Sequence, residues 1–329
     1  MNISLAEAEF LISSVFQDNG VDTPAARSVA RALVQAEAAD QGGHGLRRVP
    51  AYVRQVRTGK VDGRAVPSAS RSRPGVLAID AAHGFAYPAL DLAVDMLPAI
   101  VQEQGIALAA INRSHHAGVM ALTVERLAEQ GLVAMMFANA PAAMAPWGGK
   151  TPLYGTNPIA FAVPVAGADP LVIDLALSKV ARGKVMAAHQ KNARIPDDWA
   201  FDADGNPTTD AAEALKGTMA PAGGAKGAAL ALMVEVLAAG LTGANFSYQA
   251  SSLFDEHGPA PSLGHMIIAI DPNAAAGGAT ERMAALATEM AREEGVRLPG
   301  RRGRGLRQTA LEAGLTIEDD VMAAITALR

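Results

Sequence analysis

Two stretches of the chain combine residue types suited to moving a proton beside a bound anion. One is Gly42-Gly43-His44-Gly45-Leu46-Arg47-Arg48, followed by Tyr52; the other is Asn112-Arg113-Ser114-His115-His116-Ala117-Gly118. An imidazole exchanges a proton with a carbonyl or hydroxyl oxygen near neutral pH, and a guanidinium grips a carboxylate through two parallel hydrogen bonds. His44 and Arg48 stand four residues apart, so a helical backbone would bring both to one face, an acid beside a carboxylate clamp, with Tyr52 one turn on. Glycines on both sides of His44 permit close backbone approach by a ligand. The competing reading is a structural or solvated loop histidine on a solvated basic face, of which Arg47, Arg54 and Arg57 are the natural members.

Other chemistries lack their signatures. The chain has no cysteine, which excludes disulfides, thiolate metal sites, Fe–S clusters and cysteine nucleophiles. No carboxylate or third histidine lies at helical spacing from His115-His116, so no metal is expected. A G-x-S-x-G elbow is absent, and Gly149-Lys150-Thr151 ends like a phosphate-binding loop whose first glycine is replaced by Met144. The dinucleotide fingerprint G-x-G-x-x-G is missing too; Gly300-Arg301-Arg302-Gly303-Arg304-Gly305 has the wrong spacing and follows a helix. A net charge of -5 with 50% hydrophobic and 19% charged residues fits a soluble globular protein with no general attraction to nucleic acid. The N-terminus shows no secretory pattern, so a cytoplasmic protein is expected. The apolar run from Ala225 to Leu241 contains Lys226 and Glu235 and falls short of the roughly 20 residues of a membrane span; a buried core helix is expected there.

Periodicity and breaker residues place these stretches on an α/β scaffold. Ser4 with Glu7 forms a capping box and Asn19-Gly20 a stop, while Thr23-Pro24 opens a second helix running towards Asp40 and delivering the chain to His44. A helix is expected from Pro50 to Arg57, then a Pro/Ser/Arg-rich link over 67–74 and a strand over 76–79. Helical patterns over 88–105 and 119–130 alternate with strand patterns over 106–111 and 132–138. Apolar runs over 158–165 and 171–177, joined by Ala166-Gly167-Ala168-Asp169-Pro170, read as a hairpin and imply an antiparallel component. Gly223-Gly224 opens the long apolar helix, 265–271 reads as a late strand, and helices over 280–294 and 316–328 close the chain, returning towards the first ones.

With the elements in place, the chain resembles the type-2 malate/L-lactate dehydrogenase family over essentially its whole length. The resemblance rests on five motifs in order: His44-Gly45-x-x-Arg48-x-Pro50-x-Tyr52; Asn112-x-Ser114-His115; Gly155-Thr156-Asn157-Pro158; Asp174-x-Ala176-x-Ser178-x-x-Ala181-Arg182-Gly183-Lys184; and Gly223-Gly224-x-Lys226-Gly227. It implies a homodimer, a mixed, partly antiparallel sheet flanked by helices in place of the Rossmann fold, and NAD or NADP bound between sheet and helices. This accounts for the missing glycine fingerprint. The link over 67–74 and the returning last helices divide the chain into an N-terminal helical segment, 1–75, packing with 272–329, and a sheet-containing domain, 76–271, to which the resemblance assigns the cofactor.

Carried over by motif, His44 resembles the proton donor to a substrate carbonyl, with His115 as the alternative acid/base. Arg48 resembles the carboxylate clamp, with Tyr52 and Thr156 as further substrate contacts. The segment His116-Ala117-Gly118, the stretch Asp174-Leu175-Ala176, the helix start at Gly224, and Gly300, Arg301 and Arg304 after Pro299 are similar to cofactor contacts. Several relatives read Pro-Gly-Glu at this last position; here Arg301, Arg302 and Arg304 suit a 2′-phosphate or a basic solvated loop.

Two departures bear on the substrate. Gly43 stands where many relatives carry serine, and Lys184 stands where the family's cyclic-imine carboxylate reductases carry aspartate, so imine reduction is disfavoured. A second anion, as in malate or sulfolactate, would suit Arg47 or Lys184. The expected function is therefore hydride transfer between a nicotinamide cofactor and a small 2-oxo/2-hydroxy acid, without metal, nucleic acid or membrane. The rivals are an imine reductase of the same family and a cofactor-binding scaffold without catalysis.

Overall fold

A computed structural model describes residues 1–329. The chain opens with helices α1 (Leu5–Asp18), α2 (Thr23–Ala38) and α3 (Val49–Arg57). The capping box starts α1 as expected: Glu7 N–H donates to Ser4 Oγ and Ser4 N–H donates back to the Glu7 carboxylate. Ile12, Val15 and Phe16 of α1 meet Val29, Leu33 and Val34 of α2 in a core that also takes Tyr52 and Val53 of α3.

A seven-stranded sheet follows, built from β1 (Ser68–Arg73), β2 (Val76–Asp80), β3 (Ile106–Ser114), β4 (Val133–Ala138), β5 (Ile159–Val165), β6 (Ala168–Leu175) and β7 (Leu263–Ile270). Its spatial order is β1-β2-β3-β7-β4-β5-β6. Within it β2 and β3 pair in parallel, joined by the crossover helix α4 (Ala86–Gln104), while every other neighbouring pair is antiparallel. Gly105, in the left-handed region at φ 76°, ends α4. Helix α5 (Ala121–Glu129) links β3 to β4 and, with α4, covers one face, burying Leu97, Leu127, Ile111, Met136 and Ile267. Helices α6 (Arg182–Gln190), α7 (Ala211–Lys216) and α8 (Ala225–Glu235) form a further core around Val185, Ala231 and Met266. The chain closes with α9 (Ala279–Met290), α10 (Arg301–Ala313) and α11 (Asp319–Thr326), of which α10 and α11 bring Ala310, Val321 and Ile325 into the core of α1 and α2. No helix is long and apolar enough to cross a membrane.

Four expectations are corrected. The link expected over 67–74 is edge strand β1, which pairs with β2 although most of its Ser and Arg side chains are exposed on both faces; hydropathy carries no signal for such a strand, and charge is how an edge resists further pairing. The five-residue hairpin loop shrinks to Ala166-Gly167, because Ala168–Pro170 already belongs to β6. The residues after Pro299 are not a loop but helix α10, formed despite Gly303 and Gly305. There tertiary contacts override weak helix propensity. Finally, the apolar helix α8 is buried on one side only: Leu230, Leu232 and Met233, with Val236 and Leu241 beyond it, are exposed.

Candidate active site

His44 lies before the helix, in the turn Gly42–Gly45, and Arg48 ends a single 3-10 turn, Leu46–Arg48, that feeds α3. The expected helical face therefore does not exist for His44; a tight turn brings it to Arg48 instead. The turn is wrapped around Glu37 of α2, whose Oε2 accepts the Leu46 N–H at 2.8 Å. A Cβ on Gly45 would stand 2.3 Å from that oxygen, and one on Gly42 3.3 Å from Oε1. These glycines answer to Glu37, whereas a Cβ at Gly43 would meet nothing within 4 Å. Burial raises the pKa of Glu37, opposed by the Leu46 amide and Arg47.

Arg48 Nε donates to the Gly43 carbonyl at 2.7 Å, and its guanidinium lies 4.8 Å from the centre of the Phe254 ring. It has no acidic partner, while Arg47 pairs with Glu318 and Asp320, and Arg54 with Glu256. Arg57 is held by Asn19 and the Leu328 carbonyl. Nη1 and Nη2 of Arg48 are thus free to take a planar anion.

Strand β3 continues to Ser114, beyond its expected end, and hands the chain directly to the two histidines. They point to different surroundings. His116 joins His44: its Nε2 lies 3.1 Å from His44 Nδ1, the rings stack with centroids 5.0 Å apart, and its Nδ1 lies 2.6 Å from the Tyr52 hydroxyl, itself 3.3 Å from that of Tyr87. His115 is sealed in beside Tyr52 and Phe85, with neither ring nitrogen partnered. His265 on β7 holds the junction between them, its Nε2 3.0 Å from Ser114 Oγ and 3.1 Å from the His115 carbonyl. A carbonyl only accepts, so Nε2 carries the proton in this assignment.

Burial holds all four imidazoles neutral, with Arg48 adding to the effect on His44, His115 and His116. The pKa of His44 falls to about 4, that of His115 to about 3 and that of His265 to about 4; His116 lies well below the usual range. Burial likewise keeps the Tyr52 and Tyr87 hydroxyls protonated.

The remaining candidates lie on other elements. Thr156 is half-buried, its carbonyl accepting from Leu177 N–H, and the next residue, Asn157, donates to the buried Glu235 carboxylate at 2.7 Å. Lys184 is exposed on α6 and pairs with no acid. Ala117 is buried, and Gly118 adopts φ 67° with the Tyr87 hydroxyl 2.6 Å from where a Cβ would stand, so only glycine fits. Asp174 is exposed beside Leu175 and Ala176 at the end of β6, yet its Oδ2 accepts the Ala121 N–H at the start of α5 at 2.8 Å; partial desolvation of the carboxylate lifts its pKa to about 6 against that bond and one from Met120. No group of three or more His, Asp and Glu side chains is placed to hold a metal.

These residues fit a dinucleotide. Helices α8 and α10 begin on Gly224 and Gly300, both at positive φ, and neither has a side chain capping its first amides. Such amides donate to phosphate oxygens. Arg304 is engaged by Glu125, Glu129 and Asp169, and Arg302 by Asp40, which leaves Arg301 without an acidic partner. Sequence reasoning missed Glu37, Lys60, Tyr87, Phe254 and His265. A polar residue at a core-facing position of α2 was the available signal for Glu37; the others depend on long-range contacts.

A mixed sheet without a dinucleotide fingerprint, carrying a histidine pair beside an unpaired arginine, defines a non-Rossmann oxidoreductase. The model of the malate/L-lactate dehydrogenase family matches residues 3–326, and the chain belongs to that family. It is 51% identical over 326 residues to the (2R)-3-sulfolactate dehydrogenase (NADP(+)) of Chromohalobacter salexigens, covering 98% of this chain and 97% of that protein. It is 38% identical to a Delta(1)-pyrroline-2-carboxylate/Delta(1)-piperideine-2-carboxylate reductase of Pseudomonas putida, covering 100% of this chain and 97% of that protein. Among solved structures, the delta1-piperideine-2-carboxylate reductase of Pseudomonas syringae superposes with a TM-score of 0.95 at 35% identity, and the sulfolactate dehydrogenase of Methanocaldococcus jannaschii with 0.90 at 27%, covering 100% and 96% of those chains and 100% of this one.

Proposed function

We propose that the protein interconverts a 2-oxo acid bearing a second anionic group, of the sulfopyruvate type, and its 2-hydroxy acid, using NADP. The observation that carries this reading is Arg48, an arginine held beside His44 with both terminal nitrogens unpaired. The higher identity to an NADP-dependent sulfolactate dehydrogenase than to the imine reductases supports the substrate class. Gly43 and Lys184, in place of serine and aspartate, support it further, and Arg301 suits a 2′-phosphate.

In the reduction direction, Arg48 holds the substrate carboxylate and Lys184 offers charge to a second anion. A nicotinamide held between the sheet and helices would supply the hydride to C2. His44 directs Nδ1 at His116, while its Nε2 has no partner in the chain and is not sealed from solvent; it donates the proton to the carbonyl oxygen. The bound carboxylate offsets the charge of Arg48, so His44 takes that proton from solvent at Nε2 and returns to neutral imidazole after giving it up; His116 Nε2 accepts the His44 Nδ1–H throughout and is itself held by the Tyr52 hydroxyl. His116, in place of His115, is thus the partner of His44. Gly118 and the amide ends of α8 and α10 hold the dinucleotide. A homodimer covering the apolar face Leu230, Leu232, Met233 and Val236 completes the reading.

Cofactor absorbance with NADPH and NADH tests it against pyruvate, oxaloacetate, sulfopyruvate, a diketo sugar acid and a cyclic imine acid. NADPH oxidation with sulfopyruvate or oxaloacetate is expected; turnover of the imine alone contradicts the assignment.

A further inference from the structure

Lys60 is a buried cation that the chemistry above does not use. Its side chain is 1% exposed, and Nζ donates to the carbonyls of Ser252, His257 and Asp255 at 2.6, 2.7 and 3.1 Å, with the Asp255 carboxylate at 3.7 Å. Three protons meet three acceptors, so nothing remains for a ligand. Further bonds tie the same loop to α3: Gln55 Nε2 to the Asp255 carbonyl at 2.9 Å and Arg54 Nε to Glu256 at 3.1 Å. Inside the loop, Ser252 Oγ accepts the Phe254 N–H and Asp255 the His257 N–H.

All these anchors come from the helix that begins at Arg48 and from the turn that follows it. The result is a closed unit: the start of α3 carries Arg48, its far end holds the loop, and the loop returns Phe254 to the Arg48 guanidinium. Phe254 is 36% exposed and belongs to none of the three hydrophobic cores. Its ring therefore has little packing purpose. A guanidinium over an aromatic face is attracted by the ring quadrupole. The ring lies against the guanidinium and the Gly43 carbonyl holds Nε, which leaves Nη1 and Nη2 without a partner in the chain.

We propose that Phe254, anchored by Lys60, is a positioning residue that sets the Arg48 clamp for a planar carboxylate. The inference rests on the reading of Arg48 as that clamp. Steady-state kinetics on Phe254→Leu, Phe254→Tyr and Arg48→Lys, with NADPH affinity and Tm measured alongside, tests it. Phe254→Leu keeps an apolar side chain but lacks the quadrupole, so KM for the oxo acid rises about three- to tenfold, while kcat, NADPH affinity and Tm stay near wild type. Phe254→Tyr restores KM. Lys60→Met produces the same KM rise together with a lower Tm, because the loop loses its anchor. In an Arg48→Ala background, Phe254→Leu adds no further change. An unchanged KM in Phe254→Leu where Arg48→Lys raises it overturns this inference and leaves the clamp standing. A loss confined to kcat, or no rescue by tyrosine, also overturns it. If Arg48→Lys itself leaves KM unchanged, the clamp falls and the inference with it.

Discussion

Two arginine-rich stretches, Arg47-Arg48 and Arg301 to Arg307, divide their charges differently. In the first, Glu318 and Asp320 take Arg47, and no acid reaches Arg48. In the second, Asp40, Glu125, Glu129 and Asp169 neutralise Arg302, Arg304 and Arg307, tying α10 to the turn after α2, to α5 and to β6. The first stretch leaves Arg48 free beside His44; the second commits three of its four arginines to docking a helix with poor intrinsic propensity and leaves only Arg301 unpaired. The density of arginine is similar, and what separates a paired arginine from a free one is where the neighbouring acids run out.

The largest effect expected from probing this contrast lies at the histidines served by the free arginine. His44→Ala or His116→Ala should lower kcat about 10²- to 10⁴-fold while NADPH still binds. His115→Ala should act mainly on stability, since both its ring nitrogens are buried without partners. Equal kcat losses at His115 and His116 would break the assignment.

Arg304→Ala provides the counterpart. It leaves Glu125, 7% exposed, with one fewer partner, so unfolding experiments should show a loss of about 1–3 kcal/mol with KM for the oxo acid unchanged. A large KM effect would mean that the second stretch also serves the substrate.

A graded effect concerns pH. The four histidines have folded pKa values below 6.5, so below that pH the unfolded chain binds more protons than the fold. Stability falls as pH drops from 6.5 towards 4, by about 1.4 kcal/mol per pH unit for each histidine held neutral. Denaturant titrations across that window should show a shallower slope in His265→Gln and His116→Asn.

Much of the scaffold was legible because its signals are local: the Ser4–Glu7 box, the Gly105 stop and the apolar runs of β4, β5 and β7. Strand β1 and helix α10 were not, since each owes its conformation to a neighbour, β2 in one case and Asp40 with the acids of α5 in the other. At the site, His44 and Arg48 were visible as residue types, but their proximity comes from a turn around Glu37 rather than from a helical face. The adjacent histidines could not be told apart either. Their different surroundings arise where β3 ends against His265, and that residue lies 150 positions from His115.

The most direct test of the central claim compares wild type with Arg48→Lys in NADPH-dependent reduction of sulfopyruvate and oxaloacetate. Wild type is expected to turn over these acids and the variant to show a KM raised about tenfold or more, with a smaller change in kcat, as bidentate geometry is lost. Unchanged kinetics in the variant would contradict it.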